Sequence, residues 1–232
     1  NVKNLTIFKS NFIGNVAEIG VLSTKNTKYL QLIFCKMQNN HATTSAGAIK
    51  SERNVMLNII GCYILNNTCS KGGVVYLEKP GLIFNKFSKF SCNLGEVGGV
   101  FYIKNSPRMQ NENCQFFYNR AEKSGGVFSV VSIKIFLSIG SNYTLNMAQS
   151  GGAIKVSSAN LFLSSKNRFY NNTSIHSGGA IALIFVMHIK NINCTYIQNS
   201  ASLSAGAIEV KYSEQVISHQ CQYLGNTALQ SG

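Results

Sequence analysis

The sequence predicts an all-β fold: a parallel β-helix (solenoid) of about 8–9 coils, each of 26–27 residues with three short strands. Three observations carry that prediction. The first is a small-Gly-[Ala/Val]-apolar motif. It occurs as Ile19-Gly20-Val21-Leu22, Ala46-Gly47-Ala48-Ile49, Gly72-Gly73-Val74-Val75 and Gly98-Gly99-Val100-Phe101. It returns as Gly125-Gly126-Val127-Phe128, Gly151-Gly152-Ala153-Ile154, Gly178-Gly179-Ala180-Ile181 and Ala205-Gly206-Ala207-Ile208. The second is an apolar-x-x-Asn motif ending in Asn15, Asn40, Asn67, Asn93, Asn119, Asn146, Asn172, Asn199 and Asn226. The third is the alternation after each glycine, which has the period of a strand. A unit this short leaves no room for the two amphipathic helices of a helical repeat.

Each coil reads as three strands. The first follows the glycine: an apolar residue (Leu22, Ile49, Val75, Phe101, Phe128, Ile154, Ile181, Ile208), then a mixed position, then a mostly apolar one. The second is centred on an apolar residue seven positions before the Asn motif: Leu5, Leu30, Leu57, Ile83, Met109, Phe136, Phe162, Ile189 and Val216. The third begins the Asn motif itself, with Phe12, Met37, Ile64, Phe90, Phe116, Tyr143, Phe169, Tyr196 and Tyr223 pointing inward. Stacked coils then form three parallel sheets with rungs roughly 4.8 Å apart.

The two punctuating columns have physical reasons. Glycine permits positive φ and close backbone approach at a corner, and Ala46 and Ala205 keep the first slot small where Gly-Gly is replaced. Asparagine tolerates left-handed turns. Its amide also donates to one rung and accepts from the next, and a buried column of nine is tenable only as a bonded ladder. Without partners each amide would cost about 1–3 kcal/mol.

Gly151-Gly152-Ala153-Ile154, Gly178-Gly179-Ala180-Ile181 and Phe169-Tyr170-Asn171-Asn172 resemble the repeat of the polymorphic outer-membrane proteins, bacterial autotransporter adhesins. The motif pair is also similar to repeats in large surface proteins of ciliated protists. The resemblance covers essentially the whole chain. It implies right-handed, single-stranded winding and an extracellular or cell-surface setting. Within residues 1–232 neither the signal-peptide pattern nor the membrane barrel of the bacterial family is expected. The motif specifies stacking and not a site.

Residues 1–232 read as one β-helix domain, since a solenoid has no size ceiling and no Pro-rich linker interrupts the repeat. The repeat runs off both ends without a cap, so the expectation is a segment of a longer chain whose neighbours are further coils or other copies. No run reaches the roughly 18–20 apolar residues of a membrane span. The net charge is +13, with Lys and Arg scattered through the coils. That balance suits either an anionic partner or solvated strand edges kept from stray pairing, and no nucleic-acid motif accompanies it.

Seven cysteines are present, and Cys35, Cys62, Cys114, Cys194 and Cys221 share one inward column. They read as small buried hydrophobes. Vertical disulfides Cys35–Cys62 and Cys194–Cys221 are compatible with rung spacing but need the correct torsion. Neither a Cys-x-x-Cys pair nor a His cluster suggests a metal, and no cofactor is expected.

Every acidic residue is Glu. Asp-dependent chemistry, from a Ser-His-Asp triad to Asp-rich Ca²⁺ turns, is therefore absent in its usual form. Two pairs carry the remaining catalytic reading. Glu96 and Glu122 stack on adjacent rungs at roughly the spacing of a retaining glycosidase pair, and Glu52 and Glu78 share an outward column. The bland reading is turn carboxylates partnered by Lys104, Arg120 or Lys123. Tyr76 and Tyr102 occupy one outward column, either as a platform for a sugar or partner chain or as a cross-rung aromatic pair. N-glycosylation sequons fall at Asn4, Asn66, Asn142, Asn171 and Asn193, with Asn66 and Asn142 expected to be accessible. A sixth, at Asn172, belongs to the buried ladder. The function expected is a non-catalytic extracellular or cell-surface scaffold or fibre element. The alternatives are an adhesin-like module for glycans or a partner surface and, behind it, a carbohydrate-active enzyme.

Overall fold

Period-two alternation is the backbone pattern of the folded chain. The computed structural model describes residues 2–69 and 73–230, and every regular element in it is a β-strand. Gly72, the first slot of one glycine motif, lies outside the described residues. Strands pair in parallel with the equivalent strand of the next coil, so Val75, Phe101, Phe128, Ile154, Ile181 and Ile208 stand in one register column. The result is three sheets, of thirteen, nine and nine strands. The first sheet holds the two longer strand segments of each coil. The second holds three-residue strands such as Lys36–Gln38 and Gln115–Phe117, and the third holds short strands such as His41–Ala42 and Arg120–Ser124.

Inward residues of all three sheets fill one continuous column. Aromatic rings stack along it. Phe90, Phe116, Tyr143, Phe169 and Tyr196 follow one another with centroids 5.0, 5.0, 4.6 and 4.9 Å apart and planes within 13°. Parallel register forces this stacking, and each pair adds about 0.5–1.5 kcal/mol beyond its buried area.

The Asn ladder is bonded throughout. Each Nδ2 donates to the Oδ1 of the next ladder residue, from Asn15–Asn40 (2.9 Å) to Asn199–Asn226 (2.9 Å). From Asn40 onward the second Nδ2 hydrogen goes to the carbonyl of an inward third-strand residue one coil back, as from Asn119 to Phe90 (3.0 Å). Each Oδ1 from Asn40 to Asn226 also accepts the backbone N–H of the ladder residue before it. Burial therefore carries little penalty.

One expectation needs correcting. The left-handed residue is not the ladder Asn but the residue before it: Gly14, Asn39, Asn66, Cys92, Tyr118, Leu145, Asn171, Gln198 and Gly225 all have positive φ. The ladder amide must face inward to bond, so the preceding residue turns the chain. From Gly98 on the first glycine slot is left-handed as expected, with φ +72° at Gly98 and +56° at Ala205, whereas in the first motif the positive φ falls on Gly20. The second slot answers to space: a Cβ on Gly126 would collide with the carbonyl oxygen of Gly152 on the next coil.

Cys35, Cys62, Cys194 and Cys221, the members of the two expected disulfides, are free thiols. In the two expected disulfide pairs each Sγ instead faces the carbonyl two residues earlier on its own strand: Cys35 to Ile33, Cys62 to Ile60, Cys194 to Ile192 and Cys221 to His219, at 3.4–3.5 Å. Each thiol thus donates to a backbone carbonyl.

Candidate functional site

Parallel register brings Tyr76 and Tyr102 side by side on the outer face of the first sheet. Their centroids lie 5.5 Å apart, but the planes meet at 57°, so they form no flat platform. Lys104 Nζ sits 4.8 Å from the Tyr102 ring and 5.6 Å from the Tyr76 ring. The Tyr76 hydroxyl donates to Glu78 (3.1 Å). Partial burial of Lys104 lowers its pKa, but the two tyrosines outweigh this and hold it above its ordinary value. Burial raises that of Tyr76. The cluster satisfies itself: ring faces meet a cation and the hydroxyl meets a carboxylate.

One member of each Glu pair is tied to lysine. Glu52 and Glu78 are register partners, and Glu52 contacts Lys50 at 2.9 Å and Lys25 at 3.9 Å. The Lys50 hydrogen bond holds the Glu52 carboxyl below the usual range. Glu96 is paired with Lys123 (2.5 Å), on the coil that also carries Glu122, and a register shift between Gly95 and Val97 interrupts the ladder there. Glu112 is lowered by Lys86 (2.7 Å). Glu209 is the most buried carboxylate. Burial pushes it up, yet Lys211, Ser177 and Ser204 outweigh that and leave it lowered. Carboxylates held ionised in this way are poor general acids.

Asn4, Asn66, Asn142, Asn171 and Asn193 are all exposed, whereas Asn172 is fully buried in the ladder. Asn66, Asn171 and Asn193 occupy left-handed turn positions, which present their amides outward. Asn142 instead opens a strand of the second sheet.

A feature the residue-by-residue reading missed lies around Asn142. A groove on the second sheet is lined by Gln115, Phe117, Tyr118, Asn142, Thr144, Leu145 and Arg168. Gln115, Asn142 and Arg168 are consecutive in one register column. Phe117 and Tyr118 meet edge to face at 6.2 Å and form one wall. Arg168, laid over Tyr170 at 5.3 Å, forms the other. Writing the outward residues of the third strands as a column would have shown this grouping. No protein-family model, no curated protein and no solved structure matches this chain.

Proposed function

We propose that this chain is a non-catalytic structural β-helix of a cell surface or extracellular assembly, a scaffold or fibre element associating with further coils or neighbouring chains. The observation that carries this reading is the unbroken ladder. Eight consecutive amide-to-amide bonds tie nine coils into one rod. Glu52, Glu96, Glu112 and Glu209 are each paired with a lysine, which supports the same reading. Four exposed sequons away from the second-sheet groove, Asn4, Asn66, Asn171 and Asn193, agree with a secreted setting. The test is surface labelling and protease shaving of intact cells expressing the protein, with a glycosidase shift and a polysaccharide turnover assay on the purified chain. Surface exposure with no turnover is expected. Retention inside the cell, or turnover lost in Glu96→Gln/Glu122→Gln, overturns the proposal.

A second reading, an adhesin-like binding module, is favoured by one observation. None of the nine strands of the second sheet carries an acidic residue, while Lys36, Lys89 and Arg168 face outward there. A glycan array probed with the purified chain tests it, and an array with no retained ligand removes it.

A further inference from the structure

We infer that the groove between Tyr118 and Arg168 binds an acidic saccharide, a sugar ring bearing a carboxylate. This rests on the second reading above and names its site and ligand class.

The walls stand two rungs apart, about 9–10 Å, on either side of the smaller Asn142, Thr144 and Leu145. That width admits one pyranose ring edge-on. Tyr118 is 58% exposed and offers an aromatic face to the C–H side of a sugar. Gln115 and Asn142 are exposed neighbours whose side-chain amides make no hydrogen bond among the described residues, so they are free for sugar hydroxyls. Arg168 is exposed and makes no ion pair among the described residues. Stacked on Tyr170, its guanidinium is pre-oriented with its N–H edge available for a carboxylate. The absence of acidic residues from this sheet removes the repulsion such a ligand would meet.

Tyr118 stands at a left-handed turn. Its φ is +56°, in a column where Gly14, Asn39, Asn66, Asn171 and Gly225 accept that conformation readily and Cys92, Leu145 and Gln198 share it at a cost. A bulky aromatic residue there is strained. A single-stranded nucleic acid fits less well. Its phosphates call for a cation at nearly every nucleotide, and this face offers three, of which Lys89 already lies over Phe117 at 4.7 Å.

The experiment is titration of the purified chain with an unsulfated galacturonate hexasaccharide at physiological ionic strength, followed by calorimetry and by NMR of the second-sheet amides. Neutral maltohexaose and an oligothymidylate serve as comparisons. Saturable one-to-one binding of the uronide is expected, with maltohexaose weaker by about tenfold or more. Arg168→Ala should weaken uronide binding about tenfold or more, with Arg168→Lys in between, because a point charge replaces a planar fork. Tyr118→Gly should lose binding to a similar degree while raising the melting temperature. A purely structural Tyr118 would show the opposite stability change. Lys36→Ala, on the same face but remote from the groove, should bind as the parent does. No uronide binding, equal binding by the Arg168→Ala and parent chains, equal losses in Lys36→Ala and Arg168→Ala, or tighter binding of the oligothymidylate would each overturn the inference. A uronide that binds the parent and Arg168→Ala alike would overturn this site while leaving the binding-module reading standing.

Discussion

The interior upstream of Asn85 and the interior downstream of it solve one problem in two ways. One inward column runs Ile7, Leu32, Ile59 and then Asn85, Asn111, Ser138, Ser164, Asn191 and Ser218. Upstream it is apolar and packs on Met37 and Ile64. Downstream it is a hydrogen-bonded chain. Asn85 Nδ2 donates to Asn111 Oδ1 (2.7 Å), and Asn111 Nδ2 donates to Ser141 (2.9 Å) and to the Tyr143 hydroxyl (3.2 Å). Tyr143 pairs with Ser138 (2.7 Å), and the Tyr196 hydroxyl donates to Asn191 (3.2 Å). The outer geometry changes near the same place. The first sheet is split into strands of four and five residues upstream, as at Ile49–Glu52 and Met56–Ile60. From Phe101–Glu112 to Ile181–Ile192 it has 12-residue strands, and the last coil is split again, at Ile208–Lys211 and Gln215–His219. The Asn ladder is common to both regions. Thus the ladder and glycine corners define the coil, while the remaining inward positions accept either oil or a hydrogen-bonded polar network.

The largest effect expected comes from writing the downstream solution into the upstream region. Leu32→Asn gives up a fully buried Leu, about 1.5–3 kcal/mol, and buries an amide without partners, about 1–3 kcal/mol more. A loss of about 4 kcal/mol in urea unfolding is expected. Ile59→Asn should cost less, because residue 59 is the register partner of Asn85, whose Oδ1 is buried without a donor. Equal losses for the two would show that the boundary at Asn85 has no energetic meaning.

The converse change is the next largest. Asn111→Leu strips Asn85 Nδ2 of its acceptor and removes the donor to Ser141 and Tyr143. A loss of about 2–3 kcal/mol is expected by the same unfolding measurement. A Leu that costs under about 1 kcal/mol there would show the polar chain to be replaceable position by position.

These two regions also show what the sequence could and could not reveal. The period, the strand alternation, the ladder and the cysteine column are one-dimensional patterns, legible because each repeats at fixed spacing. The left-handed residue before each ladder Asn was not, since Cys92, Tyr118, Leu145 and Gln198 carry no turn signature. The polar column was hidden because it alternates Asn with Ser and changes character partway along. The groove was hidden because its parts come from three coils, at Tyr118, Asn142 and Arg168, and only register makes them neighbours. The Tyr76–Tyr102 pair was legible as an adjacency, but its tilt and its capture of Lys104 follow from side-chain torsions.

Alkaline pH gives a smaller effect that compares one thiol from each region. Burial raises the Cys62 pKa from 9.0 to about 11 and that of Cys114 to about 12. Both pKa values are higher in the folded chain than in the unfolded one. Each thiol's contribution is therefore intact below pH 9 and is lost as pH rises towards the folded value, because the unfolded chain releases a proton that the folded chain keeps. The expected loss is about 1 kcal/mol per thiol between pH 8 and pH 10. Cys62→Ala and Cys114→Ala should each flatten that part of the stability profile. For Cys114 the decline should continue about one pH unit further. Unchanged slopes in both variants would place the alkaline loss on the buried tyrosines instead.

The smallest expected effect falls on the boundary residue itself. Asn85 is fully buried, its Oδ1 has no donor, and its one side-chain bond runs downstream to Asn111. Asn85→Leu removes that orphaned carbonyl and adds apolar contact with Ile59 and Ile83, both in the core. It also deprives Asn111 Oδ1 of its donor. A gain and a loss of about 1–3 kcal/mol each leave a net change within about 1 kcal/mol. The change at Asn111, one rung further on, should be several times larger, although both residues are buried asparagines of one column. That asymmetry follows only if the polar chain has a direction and an end. If Asn85→Leu and Asn111→Leu destabilise the protein equally, the downstream interior is a set of separate pairs and not a chain that starts at Asn85.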